Sequence, residues 1–132
     1  MELVYRLKSK TNYTPASYTA NEVASIMTVH PGDVVGLVVV RTRVVFNGGG
    51  TDAILELGDT GDADRFVRNG DVDETTAGLY HALGGSGSVY TAIGRHLYTA
   101  ATTIDVTFTA NTSGTRTTGA FDFYVWVARS IQ

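Results

Sequence analysis

The segment Asp59–Glu74 (DTGDADRFVRNGDVDE) concentrates the chain's carboxylates, with Asp59, Asp62, Asp64, Asp71, Asp73 and Glu74 close together. Such a tract could offer hard oxygen ligands to Ca²⁺. Its spacing departs from an EF-hand, however: where a loop opened by Asp59 needs its bidentate Glu, the chain has Gly70. Arg65 and Arg68 lie inside the tract, and Phe66 and Val67 give it a small apolar anchor. The residues therefore predict a solvated acidic loop with local ion pairs and no structural metal. Burying several like charges without a cation would be costly, so the loop is expected to lie exposed.

The other chemistry-bearing residues are scattered. His30, His81 and His96 lack ligand spacing such as HxH or HxxxH. There is no cysteine, which removes disulfides, thiolate metal sites and a thiol nucleophile, and no GxSxG marks a serine nucleophile. The glycine-rich runs 48–50 and 84–87 neither precede Lys-Ser/Thr nor open a helix, so they read as flexible loops rather than phosphate cradles. No feature defines the cleft that a glycosidase's paired carboxylates would need. No catalytic residue, metal site or cofactor is assigned. The aromatics Tyr80, Tyr90, Tyr124 and Trp126 remain, as a sugar-stacking platform or as packing and interface anchors.

Elements that could position these residues are strands. The closing stretch FDFYVWVAR puts Phe121, Phe123, Val125 and Val127 on one face and Asp122, Tyr124, Trp126 and Ala128 on the other. Before it, TIDVTFT alternates Ile104, Val106 and Phe108 with Thr103, Asp105, Thr107 and Thr109; the polar ANTSGTRTTGA between them suits the loop of a long antiparallel hairpin. Earlier, ELVYRLK reads as a half-buried strand with Leu3, Tyr5 and Leu7 on one face. Residues 9–21 read as a surface loop or an extended arm, EVASIMT as a strand, and His30-Pro31-Gly32-Asp33 as a turn.

Val34–Phe46 is the densest apolar run, apolar on both faces in its first half. That pattern fits a central strand covered on both sides, or one with a side facing a partner, and its length predicts a bulge at Gly36 or near Thr42. Asn47–Gly50 reads as a turn into the strand Ala53–Leu57, Thr75–Leu83 as containing a helical turn, and Gly84–Ser88 as a loop. Val89–Ile93 and Arg95–Thr99 read as short strands about a bulge at Gly94. About eight strands with glycine-rich connections predict an all-β, single-domain antiparallel β-sandwich, jelly-roll-like, over residues 1–132.

Composition agrees. Nineteen threonines and fifteen glycines against two lysines favour strands and turns, and charged residues are only 17% of 132. A net charge of −3 argues against nucleic acid or an anionic membrane as partner. Val34–Val40 is too short to span a bilayer, and the N-terminal residues do not read as a signal peptide. The interface candidates are Tyr124 and Trp126 on the outer face of the last strand, with Val38, Val40, Arg41 and Arg43 from the two-sided run.

The runs AILELGDTGDADRFVRNGDVDETTAGLY, GSVYTAIG and TIDVTFTANTSGTRTTGAFDFYVWVA resemble small tailed-bacteriophage virion proteins. These are β-sandwich proteins that sit on or beside the major capsid lattice as cement, decoration or head-fibre components. The likeness runs from about Ala53 to Ala128, through "LGD…DADRF", "TTAG" and the closing "TxGxxxxYVWxA" strand. It implies a non-enzymatic cement or decoration protein on the outer capsid surface of the virion, made in the host cytoplasm. Its partners would be the major capsid protein and further copies of itself, as a homo-oligomeric dimer or trimer. Two other classes stay open: a carbohydrate- or receptor-binding module using Trp126, Tyr124 and a Ca²⁺-loaded acidic loop, and a glycosidase or cupin-like enzyme, which would want clustered His and Glu.

Overall fold

The structure, a computed structural model, describes residues 2–47, 54–81, 96–110 and 117–131. Among the described residues nine strands follow one another: β1 (Glu2–Tyr13), β2 (Glu22–Val29), β3 (Asp33–Val44), β4 (Ile54–Asp59), β5 (Asp62–Val67), β6 (Gly78–His81), β7 (His96–Leu97), β8 (Thr102–Thr109) and β9 (Ala120–Ile131). They form two antiparallel sheets. The front sheet runs β1-β9-β3-β6, with β7 also on β3, and the back sheet runs β2-β8-β4-β5. The first four strands alternate between sheets, and so do β7, β8 and β9. That back-and-forth winding makes the sandwich jelly-roll-like.

One consequence corrects the sequence reading of the C-terminal third. β8 and β9 are not a hairpin: β8 pairs with β2 and β4, and β9 with β1 and β3. Their apolar faces meet across the interior instead. Ile104, Val106 and Phe108 point in from the back sheet, and Phe121, Phe123, Val125 and Val127 from the front, all buried. Alternation reports which face is buried, and two strands that bury their faces in the same core need not be neighbours in a sheet. An aromatic cluster fastens one end: the Phe46 ring lies 5.5 Å from Phe108, 5.4 Å from Phe121 and 5.7 Å from Tyr18.

The other elements follow their local chemistry with some shifts. β3 carries irregularities between Val35 and Val38 and between Thr42 and Val44, at the two places its length demanded. β1 continues through Ser9 to Tyr13, so a loop or arm begins only after Tyr13. Around Thr75–Leu83 there is no helical turn among the described residues; Gly78–His81 is a strand on β3. β2 and β4 stand where EVASIMT and AILEL were expected, and β7 keeps a short part of the Arg95–Thr99 strand. The Gly84–Ser88 loop, the Val89–Ile93 strand and the Gly94 bulge lie outside the described residues. So do most of the Asn47–Gly50 turn and residues 111–116 of the β8–β9 connection.

Candidate functional site

The register of the front sheet fixes what its outer face presents. Tyr5 stands opposite Ala128, which stands opposite Val34, itself opposite Leu97. One rung on, Leu7 faces Trp126, beside the Gly36–Leu37 bulge of β3. The next rung is Ser9, Tyr124 and Val39. The last pairs Asp122 with Arg41 and Arg41 with Leu79. Gly36 and Ala128 make room for Tyr5: a Cβ on Gly36 would stand 2.7 Å from the tyrosine ring. Leu79 is 67% exposed, Leu97 56% and Leu7 54%, while Tyr124 and Trp126 are half-buried between them. Exposed apolar side chains drawn from several strands onto one face are what a docking face looks like.

Below Trp126 and Tyr124 this face dips into an open groove of about 780 Å³, lined also by Val39, Arg41, Arg43, Ala77 and Leu79. Asp122 tethers the two arginines: its carboxylate lies 3.8 Å from Arg41 Nη1 and 3.7 Å from Arg43 Nη1. It also accepts a 2.7 Å bond from the Asn12 backbone NH, where β1 bulges and Asn12 takes φ +56°. Asp122 is buried while both guanidiniums are about half exposed, so it aims positive charge over the groove.

Four of the six interface candidates thus gather on one face: Tyr124, Trp126, Arg41 and Arg43. Val38 and Val40 do not. They are 1% and 0% exposed and pair with Val125 and Phe123 in the core, because β3 alternates and the outward residue between them is Val39. Sequence reasoning missed Tyr5, Leu7, Val39, Leu79 and Leu97. Tyr5 and Leu7 were assigned to the half-buried face of β1, yet they point outward and Arg6 and Lys8 inward. The signal was available in β9: once Trp126 is taken as outward, whatever pairs with it is outward too.

The acidic tract proves to be partly structural, which corrects the expectation that it lies exposed. Asp59 and Glu74 are buried. Asp59 accepts 2.8 Å bonds from Arg65 Nε and the Tyr98 hydroxyl, and bonds of 2.9 and 3.0 Å from the Gly61 and Asp62 NH groups. Burial alone would raise its pKa; the Arg65 guanidinium and the Tyr98 hydroxyl outweigh it and hold the carboxyl below its ordinary range. A Cβ on Gly58 would stand 2.1 Å from the Asp62 carbonyl, so only glycine permits this tight hairpin. Glu74 accepts a 3.1 Å bond from the Leu55 NH. Burying carboxylates is tolerable here because each is hydrogen-bonded, and Asp59 has a cation as well.

His96 lies 3.3 Å from Arg65 Nη1, and burial together with that guanidinium lowers its pKa. His30 is exposed at the turn, where its NH is held by Asp33. Asp33 is fully buried, and although burial works to raise its pKa, the two-pronged contact with Arg129 (2.8 and 3.2 Å) lowers it. Among the described residues no three His, Cys, Asp or Glu side chains are grouped to hold a metal ion. These clusters are saturated by their own partners. What the outer face can do is bind, through aromatic and aliphatic area bordered by two arginines.

No protein-family model matches the chain, and no curated protein matches it. In fold it is similar to a solved chain described as the cyanophage Pam1 capsid asymmetric unit. The TM-score is 0.62 at 18% identity, over 97% of this chain and 85% of that one.

Proposed function

We propose that this chain is a non-enzymatic virion structural protein that binds a phage capsid lattice as a cement or decoration protein, as one domain and in more than one copy. The observation that carries this reading is the whole-length fold likeness to a chain of a capsid assembly, 97% of one on 85% of the other. The front sheet's outer face supports it, since Leu7, Trp126, Tyr124, Val39 and Leu79 offer contiguous apolar area that a lattice can cover. Mechanistically, a protein that binds only the assembled lattice adds contact free energy to that state and slows its disassembly. The test is co-sedimentation with capsids assembled from the major capsid protein of the same genome. Stoichiometric binding that raises the capsid's thermal stability is the expected result; no binding would overturn the reading.

A second reading has one observation in its favour. Trp126 and Tyr124 line a groove with two arginines, a geometry that also suits stacking on a sugar ring. A glycan array answers it: saturable binding lost in Trp126→Ala, with no capsid binding, would favour a carbohydrate- or receptor-binding module.

A further inference from the structure

Positive side chains gather along β1, apart from Glu2 at its start and Glu22 on the neighbouring β2, and carboxylates gather at the opposite edge. Both lysines of the chain, Lys8 and Lys10, sit on β1 and alternate with Arg6 on the face turned away from Tyr5 and Leu7. Among the described residues β1 has a strand partner on one side only. Beside it opens a pocket of about 380 Å³ lined by Arg6, Lys8, His30, Asp33 and Arg129. Its one carboxylate, Asp33, is buried and already gripped by Arg129. Arg6, Lys8 and Lys10 form no ion pair with any described residue; Lys8 Nζ reaches only the Thr28 carbonyl, at 3.3 Å.

The opposite edge is acidic. β5 ends the back sheet at the far side from β2, the strand that packs near β1. Between Glu56 and Glu74 lie seven carboxylates and two arginines. Arg65 is committed to Asp59, which leaves Arg68, 3.8 Å from Asp64, as the cation near the half-buried group Glu56, Asp62 and Asp64. Asp62 sharing a hydrogen bond with Asp64 raises the pKa of the latter, as burial does for Glu56: negative charge in excess of its local compensation.

We propose that copies of this chain associate head to tail, the basic pocket and edge of β1 on one copy receiving the Asp62–Asp64 edge of the next. An isologous β1-to-β1 contact would set six or so cations against one another, and inward-pointing charge on an edge strand is a known device against such pairing. A heterologous contact turns the same charges into complementary partners and builds a ring or a row according to whether the rotation closes. It leaves the apolar front face of each copy free for the lattice. The inference rests on the multi-copy part of the proposed function and not on capsid binding.

The test uses the purified full chain without capsid. By light scattering at low salt the wild type is expected above its 14.1 kDa monomer mass, falling toward it at high salt. Arg6→Glu with Lys8→Glu, and separately Asp62→Lys with Asp64→Lys, should each weaken self-association by about tenfold or more. Mixing the two double variants should restore association, because each now presents what the other lacks. A wild type that is monomeric at low salt, an oligomer indifferent to salt, or a mixture that stays monomeric while both variants melt like wild type would each overturn the proposal. Should one variant fail to fold, the salt series and the other variant decide. Capsid binding is measured separately, so loss of self-association with intact lattice binding, or the reverse, separates this inference from the function it extends.

Discussion

The two sheets bury equivalent inner faces but turn different outer faces to solvent. On the back sheet, Ser25, Thr103 and Asp105 bond to one another across β2 and β8 at 2.7–3.3 Å, and Thr107 stands between Val23 and Glu56. Apart from Val23 these described side chains are polar, and Ser25, Thr103 and Asp105 satisfy one another. The front sheet instead carries Tyr5, Leu7, Trp126, Tyr124, Val39, Leu79 and Leu97 outward. Stability requires only the inner faces. The outer difference is therefore not explained by stability, and on the function proposed above the front face is the one that meets the lattice.

In the core the two sheets should be equal. Phe123→Ala in the front sheet and Phe108→Ala in the back sheet should each lower unfolding free energy by about 3–5 kcal/mol in denaturant titrations, since both rings are completely buried. A large inequality would mean that the sheets do not share one core.

Next come two of the buried carboxylates, Asp33 in the front sheet and Asp59 in the back. Both have lowered pKa values in the folded chain, so both contribute stability that is present above the ordinary carboxylate range and lost as pH falls through their folded values. The wild type should lose stability below about pH 4. Asp59→Ala should cost about 2 kcal/mol at neutral pH and flatten that acid slope, measured by thermal melts across pH.

The outer faces should then diverge. Trp126→Ala should weaken capsid binding by about 2 kcal/mol, while Thr107→Ala on the opposite face should change it by nothing measurable in the same co-sedimentation assay. Equal losses would put the docking surface elsewhere. The smallest effect is expected at His96. Its lowered pKa means that the unfolded chain binds a proton first, so its share of stability is lost as pH falls from about 6.5. His96→Gln should remove that slope, worth under about 1 kcal/mol, and leave capsid binding alone.

How far the sequence carried this reading depended on the kind of physics involved. Period-two alternation identified the inward residues of β8 and β9, because burial acts on every second side chain regardless of partner. It could not say which strands pair, and the hairpin expected from proximity was wrong because the β8–β9 connection crosses between sheets. The same period explains the Val38 and Val40 error, since a run apolar on both faces does not reveal which half is inside. Tyr124 and Trp126 were legible as outward, but Leu79 and Leu97 were not; they join the patch through β3, and register between distant strands leaves no local trace. The buried Asp59 was equally silent, because its partner Tyr98 lies beyond the hairpin that its own tract forms.

β9 sits in the middle of the front sheet, between β1 and β3, yet of the nine strands it is synthesised last. While the ribosome is still making residues before Ala120, β1 has no partner and β3 lacks its longest one. The nascent chain must therefore wait with two open edges and half a core uncovered, and the inward Arg6, Lys8 and Lys10 on β1 discourage wrong strands from filling the gap. Insertion of β9 is then a late, long-range closure, which makes folding slow for a protein of this size and concentrates its aggregation risk in the interval before the last strand arrives.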